Sequence, residues 1–171
     1  MMTDNPRVSV VLPTLNADAH LTDALDSLIT QTYPNFEILV VDDGSTDSTV
    51  SIAESYNDER IRVLKRDDSE GLARALNEGI DVANGEYIAR HDADDLSSPD
   101  RLARQVAYLD THPNVSLVGT AARMISESGD ECGIRHVLER PTVDDLLEKN
   151  QFIHGSVMFR KERVLELADR R

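Results

Sequence analysis

The sequence predicts an α/β fold in three layers, α/β/α, around a mostly parallel sheet. Two observations predict it. Short β-like runs alternate with segments of helical period through the first half of the chain. Polar clusters follow three of those runs, at the carboxyl ends where ligands bind to such sheets.

The elements follow in order. Val8-Ser9-Val10-Val11-Leu12 is a β-branched run stopped by Pro13. Leu21, Ala24, Leu25, Leu28 and Ile29 recur at the spacing of an amphipathic helix. Ile38-Leu39-Val40-Val41 is a second strand, ended by Asp42-Asp43-Gly44. Ser45 or Asp47 can cap the next helix, which carries Val50 and Ile52-Ala53. Ile61-Arg62-Val63-Leu64 is a third strand, and Leu72, Ala75, Leu76, Gly79, Ile80 and Ala83 mark a third helix. Tyr87-Ile88-Ala89-Arg90 is a fourth strand running into His91-Asp92-Ala93-Asp94-Asp95, and Pro99 opens a helix bearing Leu102, Val106 and Leu109. The second half is less regular. Ser116 to Gly119 and Ser156 to Phe159 read as strands, Thr142 can cap a helix through Lys149, and Lys161 to Ala168 reads as a last helix before Arg170-Arg171. Between them, Arg123 to Arg140 has turn chemistry at Ser128-Gly129-Asp130 and reads as a hairpin or a mobile loop.

A length of 171 residues suits one domain, 1–171, and 40% hydrophobic with 29% charged residues suits a globular one. No run approaches the ~20 apolar residues of a membrane span. Met1-Met2-Thr3-Asp4 has no basic-then-apolar signal pattern, so a cytoplasmic location is expected. Cys132 is the only cysteine, which excludes an intramolecular disulfide and a cysteine metal cluster. The net charge of -14, from 32 acidic and 18 basic residues, repels nucleic acid and anionic lipid. Only Lys65, Lys149 and Lys161 are lysines; acid-rich, lysine-poor composition suggests a high-salt cytoplasm that screens self-repulsion.

Asp92, Asp94 and Asp95 crowd three carboxylates into four positions at a strand end. Two unit charges 4 Å apart repel by about 4 kcal/mol at an effective dielectric near 20, and a cation between them relieves it. Oxygen ligands select hard ions, Mg²⁺ or Mn²⁺. The rival reading is a solvated acidic loop in which Asp95 or Ser97 caps the following helix. Asp42 can accept the N–H groups of a uracil or guanine, or Asp42-Asp43-Gly44 is turn chemistry alone. A phosphoryl receiver also pairs aspartates, but after its first strand and with a lysine after a later one, so that reading is rejected. Pro13-Thr14-Leu15-Asn16 can close over a base or ribose. Neither G-x-G-x-x-G nor G-x-x-x-x-G-K-[ST] occurs, which excludes dinucleotide and P-loop sites.

As a set, these segments resemble family 2 of the inverting glycosyltransferases, which have the GT-A fold. The resemblance rests on Val8 to Asn16, Ser27-Leu28, Gln31 to Glu37, Val41 to Asp47, Gly71 to Asn77, Gly85 to Ile88, Asp92 to Asp95 and Pro99 to Leu102. It implies that Thr14 and Asp42 contact the base of a UDP- or GDP-linked sugar, with Pro13, Asn16 and Asp43 in that wall. Gly71, Arg74 and Asn77 would lie along the nucleotide. Asp92 and Ala93 would sit near the ribose or donor sugar, and Asp94, with Asp92, would hold the metal. Leu15 stands where the family often has tyrosine.

The family's general base, often in a Glu-Asp pair, lies downstream, and no such pair occurs in this sequence. Asp144-Asp145 and Glu162 read as helix-surface charges, and His154 as an active-site or a structural histidine. The expectation is a donor-binding part whose acceptor side lies beyond the chain end. Many relatives build surface polysaccharide, glycolipid or glycoprotein glycans, so the resemblance implies a lipid-linked or glycan acceptor and a place at the inner face of the membrane. Two other readings stand beside it: a sugar-nucleotide binding module without transfer activity, and a nucleotidylyltransferase, which would want a glycine-rich basic signature after the first strand.

Overall fold

The computed structural model describes residues 5–126 and 128–168; Met1-Met2-Thr3-Asp4 and Arg170-Arg171 lie outside the described residues. A six-stranded sheet runs in the order β3 (Ile61–Lys65), β2 (Phe36–Asp42), β1 (Val8–Thr14), β4 (Tyr87–Arg90), β8 (Met158–Arg160), β5 (Leu117–Val118). The first four strands are mutually parallel, and β8 runs antiparallel to both β4 and β5. Strand order reverses at β1, since β2 lies on one side of it and β4 on the other. That is the switch point at which α/β sheets bind ligands.

Side-chain alternation along β1 explains the layers. Val8, Val10 and Leu12 face a large core with Leu21, Leu25 and Leu28 of α1 (Leu21–Ile29), Ala53 of α2 (Thr49–Ser55) and Leu102, Val106 and Leu109 of α4 (Arg101–Thr111). Val11 faces the opposite side, with Leu39, Val41, Ile88 and Ala75 of α3 (Leu72–Val82).

Several boundaries differ from the sequence reading for local reasons. Ser48 precedes α2 without a side-chain cap, while Asp47 Oδ1 accepts the Thr49 N–H at 2.9 Å; Ser45 is engaged elsewhere. Asp100 precedes α4, also without a side-chain cap, so neither Asp95 nor Ser97 caps that helix. The run from Ser156 to Phe159 divides into a 3₁₀ turn, His154–Ser156, and β8. The span Arg123 to Arg140 contains a hairpin of β6 (Ala122–Ile125) and β7 (Glu131–Arg135). Thr142 caps α5 (Val143–Glu148) in a reciprocal capping box with Asp145, and α6 (Lys161–Ala168) closes the described chain. Asp145 therefore serves the helix end, and Glu162 is exposed on α6.

Candidate functional site

Parallel register sets Thr14, at the end of β1, beside Asp42, at the end of β2. Thr14 Oγ1 donates to Asp42 Oδ1 at 3.2 Å, and both side chains are buried. The Ser45 N–H donates to Asp42 Oδ2 at 3.0 Å, and the Ser45 hydroxyl donates to Oδ1. A carboxylate has about four lone-pair directions, so these bonds leave room for roughly one further donor. Turn chemistry and ligand recognition can thus share one carboxylate. Gly44 makes the turn possible: its φ is 84°, and a Cβ there would lie 3.0 Å from the backbone of Asp68 and Ser69. Asn16, at φ 50°, donates its N–H to Ser45 Oγ at 2.8 Å and accepts the Thr46 N–H at 2.9 Å.

Asp43 faces the other way and ties down the segment leading to α3. It accepts from Arg66 Nη1 (3.0 Å), Ser69 Oγ (2.6 Å), the Glu70 N–H (3.0 Å) and the Gly71 N–H (2.9 Å). The Ser69 hydroxyl, then the two N–H groups and the Arg66 charge, hold its carboxyl below the ordinary range despite burial. Pro13 is buried opposite Val41 and contributes shape rather than a polar group. Arg74 and Asn77 are exposed on α3, and Arg74 pairs with Glu70 at 2.6 Å.

The second acidic corner continues β4. The His91 N–H donates to the Val11 carbonyl at 3.1 Å, so the strand's direction persists into the acidic tetrad Asp92-Ala93-Asp94-Asp95. Behind it lies Arg101, buried and bonded to the Arg90 carbonyl (2.6 Å), Ser97 Oγ (3.0 Å), Gln105 Oε1 (3.2 Å) and His91 Nδ1 (3.2 Å). Burial, reinforced by the Arg101 charge, pushes the His91 pKa down to about 3, so the ring is neutral. His91 Nε2 is buried and makes no hydrogen bond. Burial lowers the Arg101 pKa to about 10, opposed by Asp95 and Asp92, and the guanidinium stays charged at neutral pH.

Asp95 and Asp92 stand near this cation, and Asp94 adjoins Asp95. Asp92 Oδ1 accepts from Arg90 Nε at 3.0 Å. Asp94 is exposed and has no hydrogen-bond partner among the described residues. Desolvation, then the charges of Asp92 and Asp94, raise the pKa of Asp95. Ala93 packs against the main core. Among the described residues no three His, Cys, Asp or Glu side chains form a ready metal cage. The donor set nevertheless fits a hard divalent ion, which commonly takes one or two carboxylates and completes its shell with water and phosphate. Asp94 is free of bonds and Asp92 has one oxygen outside its arginine contact.

A cleft of about 730 Å³ opens beside the tetrad, with Asp94, Asp95, Arg104, Tyr108 and Gly155 among its walls; Thr14, Asn16 and Asp42 do not line it. A smaller apolar pocket of about 300 Å³ on the α3 face has Arg90 and His154 at its edge. His154 Nε2 lies 2.6 Å from Asn150 Nδ2, and the His154 side chain is exposed. Arg90, Arg101 and Gly155 were not singled out by the sequence reading. Arg90 carried a signal, as the last strand residue two before Asp92; Gly155 carried none, because it meets the tetrad only through the fold.

A doubly wound sheet with carboxylates on either side of its switch point defines a domain of the GT-A glycosyltransferase type. The chain belongs to glycosyl transferase family 2, whose model matches residues 9–166. It is 36% identical over 165 residues to the putative glycosyltransferase EpsE of Bacillus subtilis, covering 93% of this chain and 58% of EpsE. Against the putative teichuronic acid biosynthesis glycosyltransferase TuaG of the same organism, identity is 32%, covering 92% of this chain and 64% of TuaG. Among solved structures, S. aureus TarS in complex with UDP-GlcNAc superposes with a TM-score of 0.78 at 25% identity, over 95% of this chain and 47% of that one. The mannosyltransferase PcManGT of Pyrobaculum calidifontis, in complex with GDP-Man and Mn²⁺, gives 0.71 at 29% identity, over 96% and 47%. The chain thus spans roughly half to two-thirds of the length of these relatives. Among the described residues no helix is long and apolar enough to cross a membrane.

Proposed function

We propose that this chain binds the donor of a glycosyl transfer, a UDP- or GDP-linked sugar together with Mg²⁺ or Mn²⁺, for inverting transfer to an acceptor hydroxyl in glycan synthesis. One observation carries the reading: two acidic corners, at the ends of β2 and β4, stand on either side of the strand at which sheet order reverses. Thr14 and Asp42 receive the base N–H, with Pro13 and Asn16 completing the wall. Asp43 holds the 66–71 segment so that Gly71, Arg74 and Asn77 border the nucleotide. Asp94, with Asp92, holds the metal, and Ala93 adjoins the donor sugar. When bound, the ion acts as a Lewis acid on the diphosphate leaving group. Arg101 fixes the strand end that leads into the tetrad, through the Arg90 carbonyl, while that negative charge develops. The nucleotide sugars and Mn²⁺ bound by TarS and PcManGT support this choice of ligands.

Titrating UDP and GDP into the protein with and without Mn²⁺ tests the reading. Mn²⁺ should strengthen binding at least about tenfold, and Asp94→Ala should remove that gain. Equal binding without metal sinks the proposed site. Release of nucleoside diphosphate that depends on an added glycan acceptor separates a transferase from a donor-binding module without transfer activity.

A further inference from the structure

Arg90 closes β4 and turns its guanidinium onto the tetrad. Its Nε and Nη2 both approach Asp92 Oδ1, at 3.0 and 2.8 Å. The Arg90 side chain is 15% exposed and that of Asp92 30%, so the pair is partly dry and charge-assisted. The other Asp92 oxygen, Oδ2, faces Gly155. Among the described residues Asp94 has no such arginine. One of the two carboxylates assigned to the metal therefore already holds a cation, and the other does not.

Resting on the metal site proposed above, we infer that Arg90 is a positioning residue that acts as the resident counter-cation of Asp92 and holds down the free protein's affinity for its divalent ion. Two effects work together. The guanidinium engages an oxygen that the ion could use, and its charge would repel a dication held by the same carboxylate. A nucleotide diphosphate supplies the anionic oxygens that offset that repulsion, so metal and nucleotide bind better together than apart.

This role and a purely structural one differ in sign. If Arg90 merely anchors the strand end, replacing it loosens the tetrad and weakens metal binding. If it is a resident counter-cation, replacing it strengthens metal binding. Mn²⁺ alone is titrated into the wild-type chain, Arg90→Met and Arg90→Gln, with melting measured in metal-free buffer. Arg90→Gln is neutral but can still donate to Asp92, and it keeps the test available if Arg90→Met folds poorly. Both variants should bind Mn²⁺ about tenfold more tightly than wild type, melt lower without metal, and show a smaller gain in Mn²⁺ affinity when UDP or GDP is added. Unchanged or weaker Mn²⁺ binding by the folded variants overturns the inference while leaving the metal site standing. No saturable Mn²⁺ binding by wild type, or binding unaltered by Asp94→Ala, overturns the metal site and the inference with it.

Discussion

Gly155 abuts Asp95. A methyl group on the Gly155 Cα would overlap Asp95 Oδ2 and lie 3.0 Å from Asp92 Oδ2. The 3₁₀ turn His154–Ser156 is thereby pressed against the tetrad, held by the Ser156 hydroxyl, which accepts the Thr120 N–H at 3.1 Å and shares its one proton between the Ile153 carbonyl at 2.8 Å and the Thr120 carbonyl at 3.2 Å. Gly155→Ala has to displace either the turn or two carboxylates. The expected cost is about 1–3 kcal/mol, in the range of overpacking a filled site, read as a fall in Tm of about 2–4 °C per kcal/mol for a chain of this size. Mn²⁺-dependent nucleotide binding should weaken alongside. A Tm within a degree of wild type would show that the turn can back away freely.

Asp95 stands under strain of a different kind. Its raised pKa means that the folded state holds that proton more tightly than the unfolded chain does. The carboxylate therefore subtracts stability above its folded pKa, and the penalty disappears as pH falls through it. Asp95→Asn keeps the shape and removes the charge. In metal-free buffer at pH 7 it should gain about 0.5 kcal/mol, a small figure because solvent screens the group. The gain should shrink towards pH 4, and saturating Mn²⁺ should reverse the ranking by stabilising wild type more. Melting curves of both proteins across pH, with and without Mn²⁺, check this; an Asn variant less stable at pH 7 without metal would contradict it.

Asp43 has the opposite sign. Its pKa is depressed, chiefly by the Ser69 hydroxyl, so its contribution is fully present above the ordinary value of 3.8 and is lost as pH falls below it. Asp43→Asn leaves the part-buried donors of Arg66, Ser69, Glu70 and Gly71 with a weaker acceptor. A cost of about 2–3 kcal/mol at pH 7 is expected, as for a buried hydrogen-bonded charge. The difference between variant and wild type should narrow below pH 3.8 and stay constant between pH 5 and 8. A difference that grows on acidification would mean that the network is not built around the carboxylate.

The local half of this picture was legible in the chain. Val8 to Leu12 and Ile38 to Val41 announce buried strands because their burial continues through every position. Their polar endings fall at one edge of the sheet, since parallel strands in one register bring Thr14 and Asp42 together. What periodicity does not reach is pairing across distance. The antiparallel insertion of β8 between β4 and β5 depends on a chain return that leaves no repeat in sequence. Arg101 shows the same limit: on the helix pattern it is a polar residue beside Leu102, yet it is buried because His91, Ser97, Gln105 and the Arg90 carbonyl supply acceptors to it. Arg74 and Asn77, which motif position sets along a nucleotide, are both exposed on α3, so no burial pattern marks them.

Surface charge makes a last prediction. The chain carries 32 acidic against 18 basic residues. Exposed ion pairs such as Arg104–Asp100 and Arg74–Glu70 are weakened by salt, which taken alone would lower stability. The surplus of carboxylates works the other way, because screening shortens the reach of their mutual repulsion from about 10 Å at 0.1 M to about 3 Å at 1 M. With net charge at -14, the repulsive term should win. Raising KCl from 0.1 M to 2 M should therefore lift Tm by about 5 °C or more, most of it below 1 M where the screening length changes fastest. Sucrose, which favours the compact state without screening charge, separates the two causes: its effect should continue to rise with concentration, whereas that of KCl should level off. A Tm that is flat or falls between 0.1 M and 1 M KCl would remove the basis for a high-salt habitat.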